Sequence, residues 1–500
     1  MNKIETGRNE QWREELRKSL KAKERADIPR VKMPELDAEY RSHSYDEVNQ
    51  GLSLEQALTE SKRCLDCLDP QCITGCPVEI NIPKFIKNIE RNEILEAAKT
   101  LKDTSALPAV CGRVCPQEKQ CESKCIHLKM KKEAVAIGYL ERFAADFAIE
   151  NSCHSALDAE SPVQGMADQV RHDNKSKGIK IAVVGSGPAG LSFAGDMAKF
   201  GYDVTVFEAL HEIGGVLKYG IPEFRLPNAI VNVEINSLQQ MGVKFITNCI
   251  VGKTISYENL HEQGFKGIFV ASGAGLPNFM NIAGENLAGV LSSNEYLTRV
   301  NLMNAYKKEA DTPVFLGKKV AVIGGGNTAM DSVRTARRLG AEKAMIIYRR
   351  SEEEMPARVE EIKHAKEEGV IFLTLHNPVQ YIGDEKGHVK QMILQKMELG
   401  EPDASGRCKP VEIPGATETI DVDMVVVSIG VSPNPLVPSA FSGLNVSKWG
   451  TIIVNQDTMQ TGLSDVYAGG DIVRGGATVI LAMGDGRKAA AAMNQSFNKN

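Results

Sequence analysis

The sequence predicts an α/β protein with two doubly wound units, preceded by a helical domain. The order strand, glycine-rich turn, helix and strand occurs at 179–207 and again at 319–348, which predicts the two α/β units. In the N-terminal domain, eight of the 11 cysteines lie between Cys64 and Cys125. The second unit is predicted to be inserted into the first. The expected segments are a helical domain at 1–150, a linker at 151–178, the first unit at 179–300 and 436–500, and the second unit at 301–435.

Length and composition are those of an ordinary globular protein of about three domains. The 500 residues are 42% hydrophobic and 25% charged, and the net charge of −5 gives no reason to expect nucleic acid or an anionic membrane as a partner. The polar stretch 1–27 does not resemble a secretory signal, and no apolar run approaches the ~20 residues of a membrane span. We therefore expect a cytoplasmic protein with neither a nucleic-acid nor a membrane partner.

Residues 1–150 have the pattern of a helical domain with many loops. Apolar residues recur at helical spacing over 52–67, 82–101 and 133–148. The stretch 151–178 is polar and without pattern, which is typical of a linker.

The clustered cysteines form two groups with short spacings. Because disulfides are rare in the cytoplasm, such thiols indicate metal binding, and soft sulfur ligands suit iron–sulfur clusters or zinc. Each group contains a Cys-Pro pair, as ferredoxin-type cluster motifs do, whereas only Cys64 and Cys67 have the paired spacing of zinc knuckles. The pattern favours iron–sulfur clusters, and structural zinc is the alternative. The groups are Cys64, Cys67, Cys72 and Cys76, and Cys111, Cys115, Cys121 and Cys125.

The glycine-rich turn after the strand at 179–184 has the GxGxxG form of a dinucleotide fingerprint. Its glycines permit a tight turn, close approach of a pyrophosphate and close packing of helix on strand, with the phosphates at the helix N-terminus. Glu208 ends the next strand, where an acidic side chain can bond a ribose 2′-hydroxyl. The turn therefore predicts a Rossmann-like dinucleotide site. Its residues are Gly185, Gly187, Pro188, Ala189 and Gly190.

A second turn, after the strand at 319–323, has the GxGxxA form. The strand that follows ends in Arg349 and Arg350, which can pair with a 2′-phosphate by charge-assisted hydrogen bonds, so this site is predicted to prefer NADP to NAD. The alternative is that both arginines belong to a surface ion-pair network with the acidic run 352–354. The turn consists of Gly324, Gly325, Gly326, Asn327 and Thr328.

Near the C-terminus, Gly470 and Asp471 follow a short strand and precede a helix. An aspartate at this place can bond a ribityl or pyrophosphate group. With the two fingerprints, this motif completes a reductase for two dinucleotides, in which an NADP region is inserted into an FAD region.

Together these motifs resemble the family of glutamate synthase small (β) subunits. The resemblance covers nearly the whole chain apart from 151–178. The N-terminal half of dihydropyrimidine dehydrogenase and the large subunit of NADH-dependent ferredoxin:NADP oxidoreductase share the module. The resemblance implies an NADPH-dependent oxidoreductase that passes electrons between NADPH, FAD and two [4Fe–4S] clusters. The matching stretches are the two cysteine groups, 107–116, 185–190, 214–227, 324–331, 348–350 and 469–471.

The resemblance also implies an interleaved set of cluster ligands. In this set Glu141, on the following helix, is a ligand, and Cys111 lies near the cluster without binding it. A count of cysteines alone would give the opposite assignment for these two residues. One cluster would be held by Cys64, Cys67, Cys72 and Cys125, and the other by Cys76, Cys115, Cys121 and Glu141. Near the FAD pyrophosphate or flavin, the implied residues are Gly215, Val216, Arg225, Thr478 and Val479. Near NADP they are Gly326, Asn327, Thr328, Arg349 and Arg350.

The implied reaction is hydride transfer from NADPH to FAD, followed by single-electron steps to a partner. The cofactors carry this chemistry, so we predict no catalytic side chain. The expected partner is the large (α) subunit of glutamate synthase, because this chain begins Met1-Asn2 without the nucleophilic cysteine of an amidotransferase. The alternatives are the NADP(H)-binding large subunit of a ferredoxin:NADP oxidoreductase, and a zinc-binding scaffold without redox activity.

Overall fold

The computed structural model describes residues 6–155, 176–402 and 406–498. Of the linker expected at 151–178, residues 156–175 lie outside the described residues, and residues 151–155 continue the preceding helix. Among the described residues, no helix is both long and apolar enough to cross a membrane.

Short helices make up the N-terminal domain. The helix expected over 82–101 is in fact two helices, because Asn92 has a φ of 63°, which a right-handed helix cannot contain. The helices of this domain are α1 (Gln11–Ser19), α2 (Ala22–Asp27), α3 (Ala38–Arg41), α4 (Leu54–Lys62), α5 (Gln71–Thr74), α6 (Ile82–Glu90), α7 (Ile94–Lys102), α8 (Pro108–Val114), α9 (Ile126–Lys129) and α10 (Ile137–Ser155).

Both strands and helices make up the rest of the described chain. The strands are β1 (Lys180–Val184), β2 (Asp203–Phe207), β3 (Lys244–Ile246), β4 (Phe265–Val270), β5 (Ala274–Pro277), β6 (Val290–Ser292), β7 (Lys319–Ile323), β8 (Lys343–Tyr348), β9 (Ile371–Thr374), β10 (His376–Gly383), β11 (Val389–Pro402), β12 (Cys408–Asp421), β13 (Met424–Val427), β14 (Val431–Pro433) and β15 (Val466–Ala468). The helices are α11 (Pro188–Lys199), α12 (Val216–Tyr219), α13 (Asn228–Gln240), α14 (Tyr257–Glu262), α15 (Ser293–Leu297), α16 (Asn327–Arg338), α17 (Val359–Glu367), α18 (Leu436–Ala440), α19 (Asp471–Arg474) and α20 (Val479–Asn498).

The first unit is a five-stranded sheet in the order β15-β4-β1-β2-β3, with all pairs parallel. Strand β15 comes from the C-terminal part of the chain, so the unit is built from two separate stretches. Strand β1 is buried on both faces after its first residue and is a run of apolar residues from Ile181 onward, as expected for a central parallel strand. The last helix, α20, packs tightly on α11: a Cβ atom at Gly486 would lie only 2.4 Å from the carbonyl oxygen of Ala189.

The second unit is also a five-stranded parallel sheet, in the order β6-β13-β7-β8-β9. Its edge strand β6 precedes residue 300, at which the sequence led us to expect the boundary between the first and the second unit. The second unit therefore begins earlier in the chain than expected. Strands β5 and β14 pair antiparallel and connect the two units.

A three-stranded antiparallel sheet, β10-β11-β12, was not predicted from the sequence. Tyr381, Met392 and Leu394 form its buried face and pack on Ile323 and Ile347 of the second parallel sheet. This small sheet therefore covers a face that a helix covers in a regular doubly wound fold.

The helical domain and the first unit share one hydrophobic core. Val78, Phe85 and Val110 of the helical domain belong to the same buried cluster as Phe193 and Met483 of the first unit. The cysteine-rich loops are therefore held against the helix that ends the first unit, and not on a separate, independently packed domain.

Candidate functional site

Two groups of ligand residues lie in the helical domain, and they interleave along the sequence. The outer group consists of Cys64, Cys67, Cys72 and Cys125, and all four are partly exposed. Burial, followed by the thiolates of Cys64, Cys125 and Cys67, raises the pKa of Cys72 well above its usual value. Cys125 therefore lies beside three thiols from which it is distant in sequence.

The inner group consists of Cys76, Cys115, Cys121 and the carboxyl group of Glu141, and all four residues are buried. Burial raises the pKa of the Cys121 thiol, and the negative charges of Glu122, Cys76 and Glu141 raise it further. The pKa of Cys76 is likewise raised to about 12, first by burial, and Glu141 contributes. Three thiols and one carboxyl group therefore lie near one another in the interior.

Glu141 has an unusual environment for a buried carboxyl group. Its side chain is buried, and Oε1 has no hydrogen-bond partner among the described residues. Burial, and then the charge of Glu234, raises its pKa to about 8. An unpaired buried oxygen costs roughly 1–3 kcal/mol, so a positively charged ligand at this position would relieve a real penalty.

Cys111 has protein partners instead. Its Sγ lies 3.5 Å from Sδ of Met483 and 3.9 Å from Oγ of Ser105. Of the two residues that could complete the inner group, Glu141 is therefore the one with an unsatisfied ligand atom.

Within the described part of the chain, no three of the clustered sulfur atoms lie as close together as the thiolate ligands of a single zinc ion. Tetrahedral zinc with Zn–S bonds of about 2.3 Å would hold its sulfur ligands roughly 3.8 Å apart. Among the described residues, which include all eight clustered cysteines, no three of these sulfur atoms lie within 4.8 Å of one another. The thiolate-rich donor set suits a multinuclear iron–sulfur core.

Buried charges fix the loop that carries the first cysteines of the outer group. Asp66 has a φ of 52°, and its fully buried carboxylate forms ion pairs with Arg13 and Arg17. From the opposite side, Nζ of Lys87 donates a 2.6 Å hydrogen bond to the carbonyl oxygen of Cys64. The loop is therefore held in place by side chains that reach it from α1 and α6.

The first fingerprint forms a tight turn in front of α11. A Cβ at Gly185, whose φ is 100°, would lie 2.5 Å from the carbonyl oxygen of Ala271, and one at Gly190 would lie 2.1 Å from the carbonyl oxygen of Gly185. Gly187 differs, since no atom lies within 4 Å of its Cβ position. Pro188 and Ala189 begin the helix, so open space in front of its N-terminus is available for a phosphate group.

Glu208 stands at the end of β2 and orders the fingerprint loop. Its Oε2 accepts hydrogen bonds of 2.9 Å from the backbone N–H of Ser186 and 2.5 Å from the Ser186 hydroxyl. The Ser186 hydroxyl oxygen in turn accepts from the backbone N–H of Gly214. Ser186 therefore connects the fingerprint with the 214–216 loop, a role that sequence reasoning missed because the motif leaves that position unspecified.

The 214–219 stretch and the 470–471 stretch close the first site. Gly215 has a φ of 54°, and a Cβ there would lie 2.9 Å from Cα of Gly187. Burial, followed by the nearby charges of Asp471 and Glu208, raises the pKa of Tyr219 to about 12. Residues from three distant stretches therefore meet at one site, and Val216 begins the short helix α12 beside it.

The C-terminal motif is held by a buried carboxylate. Asp485 accepts a 3.0 Å hydrogen bond from the backbone N–H of Gly470 and two from the Arg474 guanidinium. Burial raises the pKa of Asp471 to about 6. Sequence reasoning missed Asp485, which lies on α20 and gives no local signal of its contact with the 470–471 turn.

Thr478 and Val479 mark the start of α20, which links the first site to the inner group. The Thr478 hydroxyl accepts a 3.3 Å hydrogen bond from the side chain of Gln120, the residue before Cys121. Further along α20, a Cβ at Gly484 would lie 2.9 Å from the carbonyl oxygen of Pro77, the residue after Cys76. The helix therefore contacts both cysteine-bearing loops of the inner group.

Arg225 makes an ion pair between the two α/β units. Its Nη1 lies 2.6 Å from both carboxylate oxygens of Asp331 on α16, and both side chains are buried. The structure thus directs the guanidinium to the second unit, whereas the sequence led us to expect it at the pyrophosphate or flavin of the first.

The second fingerprint lines a cleft of about 900 Å³. Gly324 has a φ of 137°, and a Cβ at Gly325 would collide with the ring of Tyr348. The Cβ position of Gly326 is open, with its nearest neighbour 4.0 Å away. Asn327 does not line the cleft; its Oδ1 accepts a hydrogen bond from the backbone N–H of Arg358.

The two arginines after β8 occupy different places in this cleft. Arg349 is exposed, whereas Arg350 is buried and donates a 2.8 Å hydrogen bond to the carbonyl oxygen of Cys408. Thr328 also lines the cleft, together with His376 and Arg407 from the antiparallel sheet. Those last two residues escaped the sequence analysis because the sheet that carries them was not predicted.

Comparisons with known proteins agree with this arrangement. The family described as dihydropyrimidine dehydrogenase domain II, 4Fe–4S cluster, matches residues 41–153. The family described as pyridine nucleotide-disulphide oxidoreductase matches residues 179–494. The structure of FprA from Mycobacterium tuberculosis in complex with NADPH superposes with a TM-score of 0.54 at 19% identity, covering 65% of this chain and 85% of that one, which shows the fold.

Two curated relatives cover most of this chain. The glutamate synthase [NADPH] small chain of Azospirillum brasilense is 34% identical over 458 residues, which cover 90% of this chain and 91% of the relative. The NADP(+)-dependent formate dehydrogenase subunit beta of Moorella thermoacetica is 38% identical over 435 residues, which cover 85% of this chain and 59% of the relative. The chain is an NADPH-dependent oxidoreductase with a 4Fe–4S domain, and it belongs to the family of glutamate synthase small chains.

Proposed function

We propose that this chain is the NADPH-oxidising subunit of a glutamate synthase. It passes electrons from NADPH through FAD and two [4Fe–4S] clusters to a large subunit that makes glutamate from glutamine and 2-oxoglutarate. The observation that carries this proposal is the pair of four-ligand groups, one buried against α20 and the other partly exposed. A buried group beside the first site and a second group at the surface form a path from the interior to a partner.

In this proposal FAD lies across the first fingerprint, and NADPH lies in the cleft at the second. Hydride and single-electron chemistry come from these cofactors when bound, and the chain binds and orients them. Gly187 and Gly326 leave space for the two pyrophosphates, and Glu208 accepts a hydrogen bond from the FAD ribose. Arg349 faces the 2′-phosphate of NADPH, because it is the exposed member of the arginine pair.

The proposed ligands follow from the two groups. Cys64, Cys67, Cys72 and Cys125 hold the outer cluster, and Cys76, Cys115, Cys121 and Glu141 hold the inner one. The inner ligands would hold a cluster on the side of the first site, since α20 contacts the loops that carry Cys76 and Cys121. The thiolate-rich ligand groups and the match of residues 41–153 to a 4Fe–4S domain support iron–sulfur clusters over the zinc-binding scaffold.

Substituting Gly187 by alanine is expected to abolish tight FAD binding without unfolding the chain. The alanine methyl group would enter open space in the apoprotein and would meet only the bound pyrophosphate. Such overpacking costs about 1–3 kcal/mol, equivalent to roughly 10–100-fold weaker binding. Flavin fluorescence after ultrafiltration and a thermal melt of the apoprotein would measure the two quantities.

Gly190→Ala is the matched control for that experiment. Its methyl group would lie 2.1 Å from the carbonyl oxygen of Gly185, so this variant should lose stability as well as FAD. If Gly187→Ala retained FAD with wild-type affinity, the first fingerprint would not hold the pyrophosphate.

Exposed apolar and basic residues stand next to two ligands of the outer group in the sequence. Leu68, next to Cys67, is 82% exposed, and Leu128 and Met130 are also exposed. Lys129 and Lys131 are exposed on the same stretch after Cys125. We name these five residues the exit face, and we propose that the large subunit meets it with an apolar patch bordered by carboxylates.

Reversing the charges of the exit face is expected to slow electron delivery to the large subunit. The double variant Lys129→Glu with Lys131→Glu should lower NADPH-dependent glutamate formation by the assembled enzyme about tenfold at low ionic strength, because steering by opposite charges is lost. Reduction of FAD by NADPH should not change. The same reversals at Lys253 and Lys266, which are exposed but belong to the first unit, should have no effect. Equal glutamate formation by both double variants would exclude this face.

A second candidate is a subunit of another NADP-dependent oxidoreductase, such as the ferredoxin:NADP type. The Moorella relative favours it, because the aligned residues are 38% identical to that β subunit and 34% identical to the Azospirillum small chain. The two candidates share every step up to the outer group and differ only in the partner. Mixing the purified chain with the large glutamate synthase subunit should produce glutamate from NADPH, glutamine and 2-oxoglutarate, whereas the chain alone should not. Failure of the mixture, with full reduction of the chain by NADPH, would support the second candidate.

A further inference from the structure

A short segment, residues 356–359, lies between the second fingerprint and the inner group. On the fingerprint side, the backbone N–H of Ala357 donates a 3.2 Å hydrogen bond to the carbonyl oxygen of Gly325. The backbone N–H of Arg358 donates a 2.9 Å hydrogen bond to Oδ1 of Asn327. The segment is therefore fixed to the glycine turn that opens the nucleotide cleft.

On its other side, the same segment is bonded to the loop that carries Cys115. Nη1 of Arg358 donates a 2.8 Å hydrogen bond to the carbonyl oxygen of Arg113, and Nη2 donates a 3.0 Å hydrogen bond to Oε1 of Gln117. These acceptors stand two residues before and two residues after Cys115. Nζ of Lys119 adds a 2.8 Å hydrogen bond to the carbonyl oxygen of Pro356.

The guanidinium of Arg358 is a buried positive charge beside the inner group. The residue is 4% exposed. Burial lowers its pKa, but the carboxylates of Glu360, Glu118 and Glu361, with the Cys115 thiolate, raise it overall, so the group stays charged. The nearest carboxylate oxygen, Oε2 of Glu360, lies 3.0 Å from Nη2, and that of Glu118 lies 3.8 Å from Nε.

A fixed charge in this position affects reduction in a known direction. A thiolate-ligated cluster becomes more negative by one charge when it accepts an electron, and a nearby positive charge in a poorly solvated site stabilises that state. The protein therefore tunes the potential of such a cluster through the charges and hydrogen bonds around it.

We propose that Arg358 is a positioning residue that raises the reduction potential of the inner cluster, and that the second fingerprint holds it in place through Asn327 and Gly325. This inference rests on the proposed function, because it requires a cluster at Cys76, Cys115, Cys121 and Glu141. The inference gives the second unit a specific role: it sets the reduction potential of the inner cluster, although it provides none of the ligands of that cluster.

The test is an anaerobic potentiometric titration of the holoenzyme followed by electron paramagnetic resonance. In Arg358→Gln, the reduced-to-oxidised ratio of one cluster at a fixed potential should fall about tenfold, equivalent to a shift of about −59 mV for a one-electron couple. The reduction potential of the other cluster should not change. Arg358→Lys keeps the charge and should recover most of the wild-type potential.

A second variant makes the test independent of the folding of Arg358→Gln. Glu360→Gln removes a carboxylate next to the guanidinium, so the potential of the same cluster should shift in the opposite, more positive direction. Arg41→Gln serves as the matched control, since Arg41 is also buried in an ion-pair network but does not contact the cysteine loops. It should change the melting temperature without changing either potential.

The outcomes separate this inference from the proposed function. Suppose that the wild-type chain holds two clusters, and that neither Glu360→Gln nor a folded Arg358→Gln changes their reduction potentials. This result would overturn the role of Arg358 and leave the proposed function standing. Wild-type chain without iron would overturn both.

Discussion

Substituting Glu141 by alanine is expected to halve the iron content of the chain, from about eight atoms to about four, and to remove one of the two cluster signals. The reason is that Glu141 is the one group at the inner position with a buried, unpaired ligand oxygen. Without it, three thiols would face an open iron site. Iron quantitation and electron paramagnetic resonance of anaerobically reconstituted protein would measure the effect.

Cys111→Ala is the control that decides between the two candidate ligands. The Cys111 thiol already contacts Met483 and Ser105, so its removal should leave about eight irons per chain. The iron-free chain provides a second readout: Glu141→Leu should be more stable than wild type by roughly 1–3 kcal/mol, because an unpaired buried carboxyl group is removed. Full iron in Glu141→Ala together with loss in Cys111→Ala would assign the fourth ligand to Cys111.

Reversing the charge of Arg349 is expected to change the nucleotide preference of the enzyme. Arg349→Glu removes a charge-assisted hydrogen-bond donor from the 2′-phosphate and places a repelling carboxylate there, which together should cost about 3 kcal/mol, or roughly a 100-fold rise in the KM for NADPH. The KM for NADH should fall or stay the same, since NADH has no 2′-phosphate. Steady-state reduction of an artificial electron acceptor with each nucleotide would measure both constants.

Arg350 is the less suitable residue for this test. It is buried and bonded to the carbonyl oxygen of Cys408, so its substitution would disturb the wall of the cleft as well as its charge. Arg407 on the antiparallel sheet lines the same cleft, and Arg407→Glu serves as a second test of the electrostatic effect. An unchanged ratio of NADPH to NADH rates in Arg349→Glu would favour the alternative that this arginine belongs to a surface ion-pair network.

The two fingerprints could be predicted because their chemistry is local. A strand, three small residues at fixed spacing and a helix lie within one stretch of chain, and the collisions that a Cβ would cause at Gly190 and Gly325 explain why glycine is required there. The two parallel sheets could be predicted as well, because a strand, a helix and a second strand in this order place the two strands parallel. The break at Asn92 could not be predicted, because an apolar pattern continues across it and the turn depends on a single residue with positive φ.

Contacts between distant parts of the chain were beyond the reach of sequence patterns. Spacing shows that thiols are grouped but not that Cys125 lies beside Cys72. The same limit applies to the ion pair of Arg225 with Asp331 and to the hydrogen bonds of Asp485 with the 470–471 turn. The antiparallel sheet was missed because its strands bury only one face, and their alternating pattern is interrupted where the register shifts.

The central claim is that NADPH delivers electrons through FAD to two clusters within this one chain. Its most direct test is anaerobic titration of the purified chain with NADPH, with iron and flavin quantitation and absorption spectra at each step. We expect one FAD and about eight irons per chain, with bleaching of both flavin and cluster absorption that is faster with NADPH than with NADH. Zinc in place of iron, or a flavin that NADPH does not reduce, would contradict the claim.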